Sequence, residues 1–184
     1  MVPTRKECLE LIRQHQMLAH ILQHSKLVTK VALLIAGKLN DTGHNLDLAL
    51  VEAGALLHDI TKTMCIETAE NHAHTGGKLL ASLGYPAVAD VVRQHIRLDV
   101  GRAACDPDTV TAEELVNYAD KRVKHEEVVD ISERFRDIEK RYAGKVSNLE
   151  VRLQEVLVET QVIEEKIFSI LSINPEDIED IVTL

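Results

Sequence analysis

The chain is predicted to be all-α, and three observations carry that prediction. Apolar residues recur at intervals of three and four along most of the sequence, the spacing of one helix face. No stretch sustains the strict alternation of a half-buried strand. Two Phe, three Tyr and no Trp leave the core to Leu, Val, Ile and Ala, a mixture that favours helices packed on helices. A length of 184 residues suits one domain with an appended helical piece.

The elements follow in order. Thr4 with Glu7 three residues on makes a capping box, so a first helix begins at Arg5. Leu9, Ile12, Leu18, Ile21 and Leu22 continue its apolar spacing. A second helix, opened by His24, holds Val28, Val31, Ala32, Leu34, Ile35 and Leu39 and stops at Asn40-Asp41-Thr42-Gly43. Asp47 caps a third run, residues 48–57, which carries one charge, Glu52, and so reads as buried. Asn71 caps the next helix, which closes at Gly84; Pro86 opens another that runs to His95. Residues 101–108, with Pro107 among them, are expected to be irregular. Thr111 and Glu114 repeat the capping box ahead of Leu115, Val116, Tyr118 and Ala119.

After Gly144 the pattern changes. Ser147 and Glu150 spell a further capping box, and Val146, Leu149, Leu153, Val156, Thr160, Ile163, Ile167 and Ile170 form a heptad seam broken by Thr160. Packing against the main domain is its simplest role; a homodimer interface through the 146–171 helix is the sharper alternative. Asn174-Pro175 starts a short last helix. The expected organisation is a domain over 5–143 and a helical extension over 144–184.

Composition narrows the function. A net charge of −9 argues against tight nonspecific binding to nucleic acid. Cys8, Cys65 and Cys105 form no C-x-x-C pair, which fits a reduced cytoplasmic protein better than a disulfide scaffold or zinc ribbon. Apolar runs are too short for a membrane span, and no signal peptide is recognisable. P-loop, dinucleotide-binding and Ser-His-Asp patterns are not recognisable either.

The chemistry gathers around His58-Asp59, an ionisable pair that ends the buried third helix. Burying such a pair is costly unless something replaces its hydration. A divalent ion does so, because it takes neutral imidazole and carboxylate together. The bland reading is two polar residues in a solvated turn. Adjacent residues diverge by about 100° on a helix, so these two can meet one ion only at its end. His24 lies upstream, and Asp120 sits in the otherwise apolar turn Tyr118-Ala119-Asp120-Lys121.

One His, then His-Asp, then a distant Asp on a later helix resembles the HD-domain superfamily of metal-dependent phosphohydrolases, over roughly residues 20–125. His72-Ala73-His74-Thr75-Gly76-Gly77 looks like the H-x-x-x-G-[AG] segment of its two-metal branches, and His95 like the histidine that follows. The set resembles the H…HD…H…H…D arrangement of the diadenosine tetraphosphatase-like branch and of cyclic-dinucleotide phosphodiesterases. Gly84-Tyr85-Pro86 spells the motif of the latter, but it precedes His95 and caps a helix. The resemblance implies that His24, His58, Asp59 and Asp120 hold a first ion and that His72 and His95 help to hold a second. Asp59 would bridge them, and water between the ions would be the nucleophile. Such ligands suit iron, manganese, cobalt, nickel or zinc without choosing among them.

Several residues stay open at this level. His74 competes with His72. Lys62 and Lys121 are candidate phosphate contacts, with exposed lysine as the alternative. Arg93 and Arg97 should face away from His95, His15, His44 and His125 should be solvated, and His20 with His24 at i, i+4 lacks the glutamate of a zinc-protease pair. The expected activity is metal-dependent hydrolysis of a small phosphate ester or anhydride, with a nucleotide as substrate and a dinucleoside polyphosphate favoured. A single-metal 5′-nucleotidase, a nucleotide- or metal-sensing domain without activity, and oxygen-dependent chemistry at a di-iron site are the alternatives.

Overall fold

The computed structural model describes residues 1–68, 70–99, 109–144 and 148–183, Thr183 by its backbone only. Helix α1 spans Arg5–Gln14, α2 Ala19–Asp41, α3 Leu48–Leu57, α4 Lys62–Thr68, α5 His72–Ser82 and α6 Pro86–Gln94. After α7 (Ala112–Lys121) comes a two-stranded antiparallel hairpin, β1 (Val123–Lys124) with β2 (Glu127–Val128). Helices α8 (Ile131–Tyr142), α9 (Leu149–Ile170) and α10 (Asp177–Thr183) complete the chain. The protein is thus mostly helical, as expected. No helix among the described residues is long and apolar enough to cross a membrane.

The helix starts follow the capping chemistry. Reciprocal capping boxes close α1 at Thr4/Glu7 and α7 at Thr111/Glu114. Asp47 accepts from the Ala49 and Leu50 amides, and Asn71 from that of His74. Pro86 stands at the start of α6, behind Gly84, whose φ of +87° only glycine adopts without strain.

Other boundaries differ from the expectation. The first helix does not run on to Leu22, because Gln16 turns left-handed (φ 52°) and Leu18 caps a new helix from Ala19. His24 therefore sits inside α2 rather than opening it. The capping box at Ser147 falls on a residue outside the described ones, as does the seam residue Val146. The N-cap of α9 is Asn148, left-handed at φ 54°, with no side-chain cap bond. The expected irregular segment 101–108 also lies outside the described residues. Helix α4, the hairpin and α8 have no counterpart in the expectation.

Two apolar clusters form the core. One gathers Val28, Ala32, Ile35 and Leu39 of α2 with Leu115, Val116 and Ala119 of α7 and Ile163 and Ile167 of α9. The other joins α1, α3, α5 and α6 through Ile12, Leu56, Leu57, Leu80 and Val92. The seam of α9 faces the first: Thr160, Ile163 and Ile167 are buried, while Leu153, Val156 and Ile170 pack partly buried against it. Helices α3 and α6 approach so closely that a Cβ on Gly54 would lie 2.5 Å from Val91 Cγ1. The Val91 side chain is fully buried and stiff at χ1, so it cannot step aside. Gly54→Ala is therefore expected to lower stability. Overpacking costs about 1–3 kcal/mol and exceeds the roughly 1 kcal/mol gained in helix propensity; the urea midpoint of purified protein measures it.

Candidate metal centre

Five elements deliver the predicted residues to one place. His58 is the C-cap of α3, and Asp59 follows in a tight turn closed by Ile60 N–H to Leu57 O and Lys62 N–H to Asp59 O. These bonds span three residues instead of four, which winds the chain tighter and lets neighbouring side chains turn toward one point. His72 is the first residue of α5, His95 the C-cap of α6, and Asp120 lies in the last turn of α7. Only His24 comes from within a helix.

Three imidazoles share one orientation. His24 Nδ1 donates to His125 O (3.2 Å), His58 Nδ1 to Ala55 O (2.8 Å) and His95 Nδ1 to Val92 O (2.7 Å). A carbonyl oxygen can only accept, so each Nδ1 carries the proton and a neutral ring turns a bare Nε2 inward. His24 Nε2 lies 3.0 Å from Asp120 Oδ1, and His58 Nε2 lies 3.4 Å from Asp59 Oδ2 and 3.7 Å from Asp120 Oδ1. Asp59 Oδ1 is 3.1 Å from His72 Nε2 and 3.6 Å from His95 Nε2, and those two nitrogens are 3.3 Å apart.

Two groups have ligand atoms all within 4.8 Å of one another: His24, His58 and Asp120, and His58, Asp59 and His95. His72 stands at the edge of the second. His74, its rival, is exposed on α5 and takes no part. His58 and Asp59 are fully buried, yet His58 Nε2 and Asp59 Oδ1 have no hydrogen-bond partner in good alignment. Orphaned buried polar atoms are rare and costly. Here they belong to residues whose ligand atoms lie within 4.8 Å of one another, and the donors are of the kind that borderline divalent ions take. The residues present therefore fit one or two such ions.

Electrostatics agree for the two carboxyls, His24 and His95 but not for His58. Burial would raise both carboxyls, but His58 and Lys62 pull Asp59 well below the ordinary carboxylate value. The close His24 ring, then the Lys121 and Arg134 charges, do the same for Asp120. Burial lowers His24 and pushes His95 down to about 4, so both imidazoles are neutral at neutral pH, the form that could ligate an ion. His58 is also opposed by burial, but the carboxylates of Asp59 and Asp120 outweigh it and raise it.

The lysines separate. Lys62 Nζ reaches Asp59 Oδ2 at 2.7 Å, with its side chain 31% exposed, and stands at the rim. Lys121 is buried and donates to His95 O and, at 3.2 Å, to Ile96 O. Its amine thus neutralises the carbonyl end of α6 and is not available as the phosphate contact considered from sequence. Arg93 is engaged by Asp90 and Asp99, and Arg97 by Glu155 and Glu159, away from the centre. His15, His20, His44 and His125 also lie outside the cluster. His125, whose side chain is exposed, nevertheless orients His24 through its backbone carbonyl.

One neighbour escaped sequence reasoning. Arg134 of α8 is buried, with Nη2 3.6 Å from Asp120 Oδ1. The available signal was an arginine on the apolar face of an otherwise polar helix, beside Ile131 and Phe135.

Comparison with known proteins supports the same picture. The chain is 31% identical over 145 residues to tRNA (cytidine(56)-2'-O)-methyltransferase of Thermoplasma volcanium, covering 70% of this chain and 41% of that protein. It is 29% identical over 137 residues to Ribonuclease Y of Treponema pallidum, covering 67% and 26%. An uncharacterized protein of Methanocaldococcus jannaschii is 28% identical over 134 residues, covering 66% and 77%. The chain thus spans less than half the length of the first two relatives. No solved structure matches. Among protein families, residues 21–140 match the HD domain, the span that contains all six converging side chains. The chain belongs to the HD domain family.

Proposed function

We propose that this chain is a metal-dependent phosphohydrolase acting on a small phosphate ester or anhydride of the nucleotide class. The observation that carries the reading is the convergence of bare imidazole nitrogens and ionised carboxylates on buried atoms that lack hydrogen-bond partners. His24, His58 and Asp120 would hold one ion, and Asp59, with His72 and His95, would serve a second. One oxygen of Asp59 faces His58, and the other faces His72 and His95. Bound divalent ions supply Lewis acidity, lowering the pKa of water and offsetting charge that develops on phosphorus. The chain's own residues do the rest. Backbone carbonyls fix the rings, burial keeps bulk water from the bridging carboxylate, and Lys62 presents a cation at the rim where a phosphate oxygen arrives.

Within this class a dinucleoside polyphosphate is the favoured substrate, and a 5′-nucleotide the rival. The test is elemental analysis followed by phosphate release from a nucleotide panel, with iron, manganese, cobalt, nickel or zinc added after chelation. Hydrolysis that vanishes with chelator and returns with one of these ions is the expected result. His72→Ala is expected to lower turnover about 100-fold if two ions act together, and to leave a single-ion nucleotidase nearly untouched. Stabilisation by one nucleotide without any hydrolysis would indicate a sensing domain instead. Two relatives carry the names of RNA enzymes, which favours a second reading, hydrolysis of an RNA phosphodiester. The net charge of −9 weighs against it, because a long polyanion has no basic track to follow. An RNA oligonucleotide in the same panel decides between them.

A further inference from the structure

Arg134 is a buried cation without a full set of partners. Its side chain is 7% exposed, and among the described residues its Nε has no hydrogen-bond partner. Nη1 makes one long contact, 3.3 Å, to Asp137 Oδ2, and that same oxygen is bound at 2.5 Å by Arg141. Nη2 stops 3.6 Å short of Asp120 Oδ1, beyond a good hydrogen bond. A guanidinium has five N–H donors, and leaving them unmet in the interior is costly.

Neutralising Asp120 does not account for this placement. An ion held at His24 Nε2 and Asp120 Oδ1, which lie 3.0 Å apart, would itself neutralise the carboxylate, and the Lys121 amine stands 3.8 Å from Oδ2. With a divalent ion held by His24, His58 and Asp120, Arg134 would be a second positive charge against the first. Asp120, a single charge lying between them, would not offset both, and a further anion within reach of the ion and of the guanidinium would. A planar donor fork fits the oxygens of a phosphoryl group, which can accept from Nε and Nη2 together.

We propose that Arg134 binds a phosphoryl oxygen of the substrate at the ion held by His24, His58 and Asp120, and so selects for a tetrahedral oxyanion. The inference rests on the hydrolase reading above. Arg134 and Lys62 then reach the substrate from different helices, α8 and α4, each beside one of the two carboxylates.

Inorganic phosphate is the probe. Its dissociation constant is measured by calorimetry on the ion-loaded full chain, with ions per chain counted in the same samples. Arg134→Gln is expected to keep the wild-type ion content and to weaken phosphate binding about tenfold or more, the loss of a charge-assisted hydrogen-bond pair. Arg134→Lys keeps the charge and the apolar stem but not the fork, and is the second variant should Arg134→Gln fail to fold. It is expected to weaken binding about threefold or more while keeping the ions. Unchanged phosphate affinity in the ion-loaded variants overturns the proposal. So does loss of the ion itself, which would make Arg134 a counter-charge to Asp120 only. Wild-type protein that takes up no ion at any concentration overturns the hydrolase reading first, and the ion count separates that failure from the other two.

Discussion

Asp59→Asn is expected to abolish phosphate release, lowering turnover about a thousandfold or more while leaving the fold intact. Asn keeps the shape of Asp and one acceptor oxygen, but it has no charge and cannot ligate through both arms. Asp59 is the one carboxylate in the group with His58 and His95, and its two oxygens face different imidazoles. Its ionised form is favoured by His58 and Lys62, so the negative charge is present at any working pH. Removing that charge leaves the ions with imidazoles and Asp120 alone, and a bridge cannot form. The Lys62 amine freed by the change is part exposed and can be hydrated, so the thermal midpoint of metal-free protein should move little. Turnover with a saturating ion, ions bound per chain and the thermal midpoint are the three measurements. Near-normal turnover in Asp59→Asn would end the two-ion reading.

The helix framework was legible because its punctuation is local. Thr4/Glu7, Asp47, Asn71, Pro86 and Thr111/Glu114 each satisfy amides within three residues, so their meaning needs no tertiary context. The candidate ligands were legible for different reasons: His58-Asp59 and Asp120 stand out in apolar helical segments, where only a compensating partner makes them tolerable, while His24, His72 and His95 joined them through the resemblance to the HD-domain superfamily. What was not legible depended on three-dimensional neighbours. Helix α4 is seven residues long, too short for a period, and the hairpin strands have two residues each. Helix α8 buries only Ile131, Arg134 and Phe135, so its pattern is faint. The break at Gln16 leaves the apolar spacing on either side intact, which is why one helix was expected where there are two. Arg134 acquires its meaning from Asp120, fourteen positions earlier, and no spacing rule connects them.

Lys166→Met is expected to destabilise the protein by about 3–5 kcal/mol, the cost of leaving a buried charge without its partner. Lys166 of α9 reaches both Glu114 oxygens of α7, at 2.9 and 3.0 Å, with the two side chains 6% and 1% exposed. Glu114 also accepts the Thr111 amide that opens α7, so its carboxylate cannot swing out to water without undoing the cap. The surface pair Arg13–Glu10 is shorter, at 2.6 Å, but its side chains are 74% and 47% exposed. Its loss should cost little, because solvent screens it. Geometry alone would rank these pairs the other way; burial reverses the order. Adding Glu114→Gln to Lys166→Met should recover most of the loss, because an amide still caps α7 and no longer carries a charge. A double-mutant cycle from urea unfolding reads that coupling. A single substitution costing under 1 kcal/mol would mean that α9 is not seated on α7. The helix that carries Asp120 would then have to be held in place by α2, α3, α6, α8 and β1.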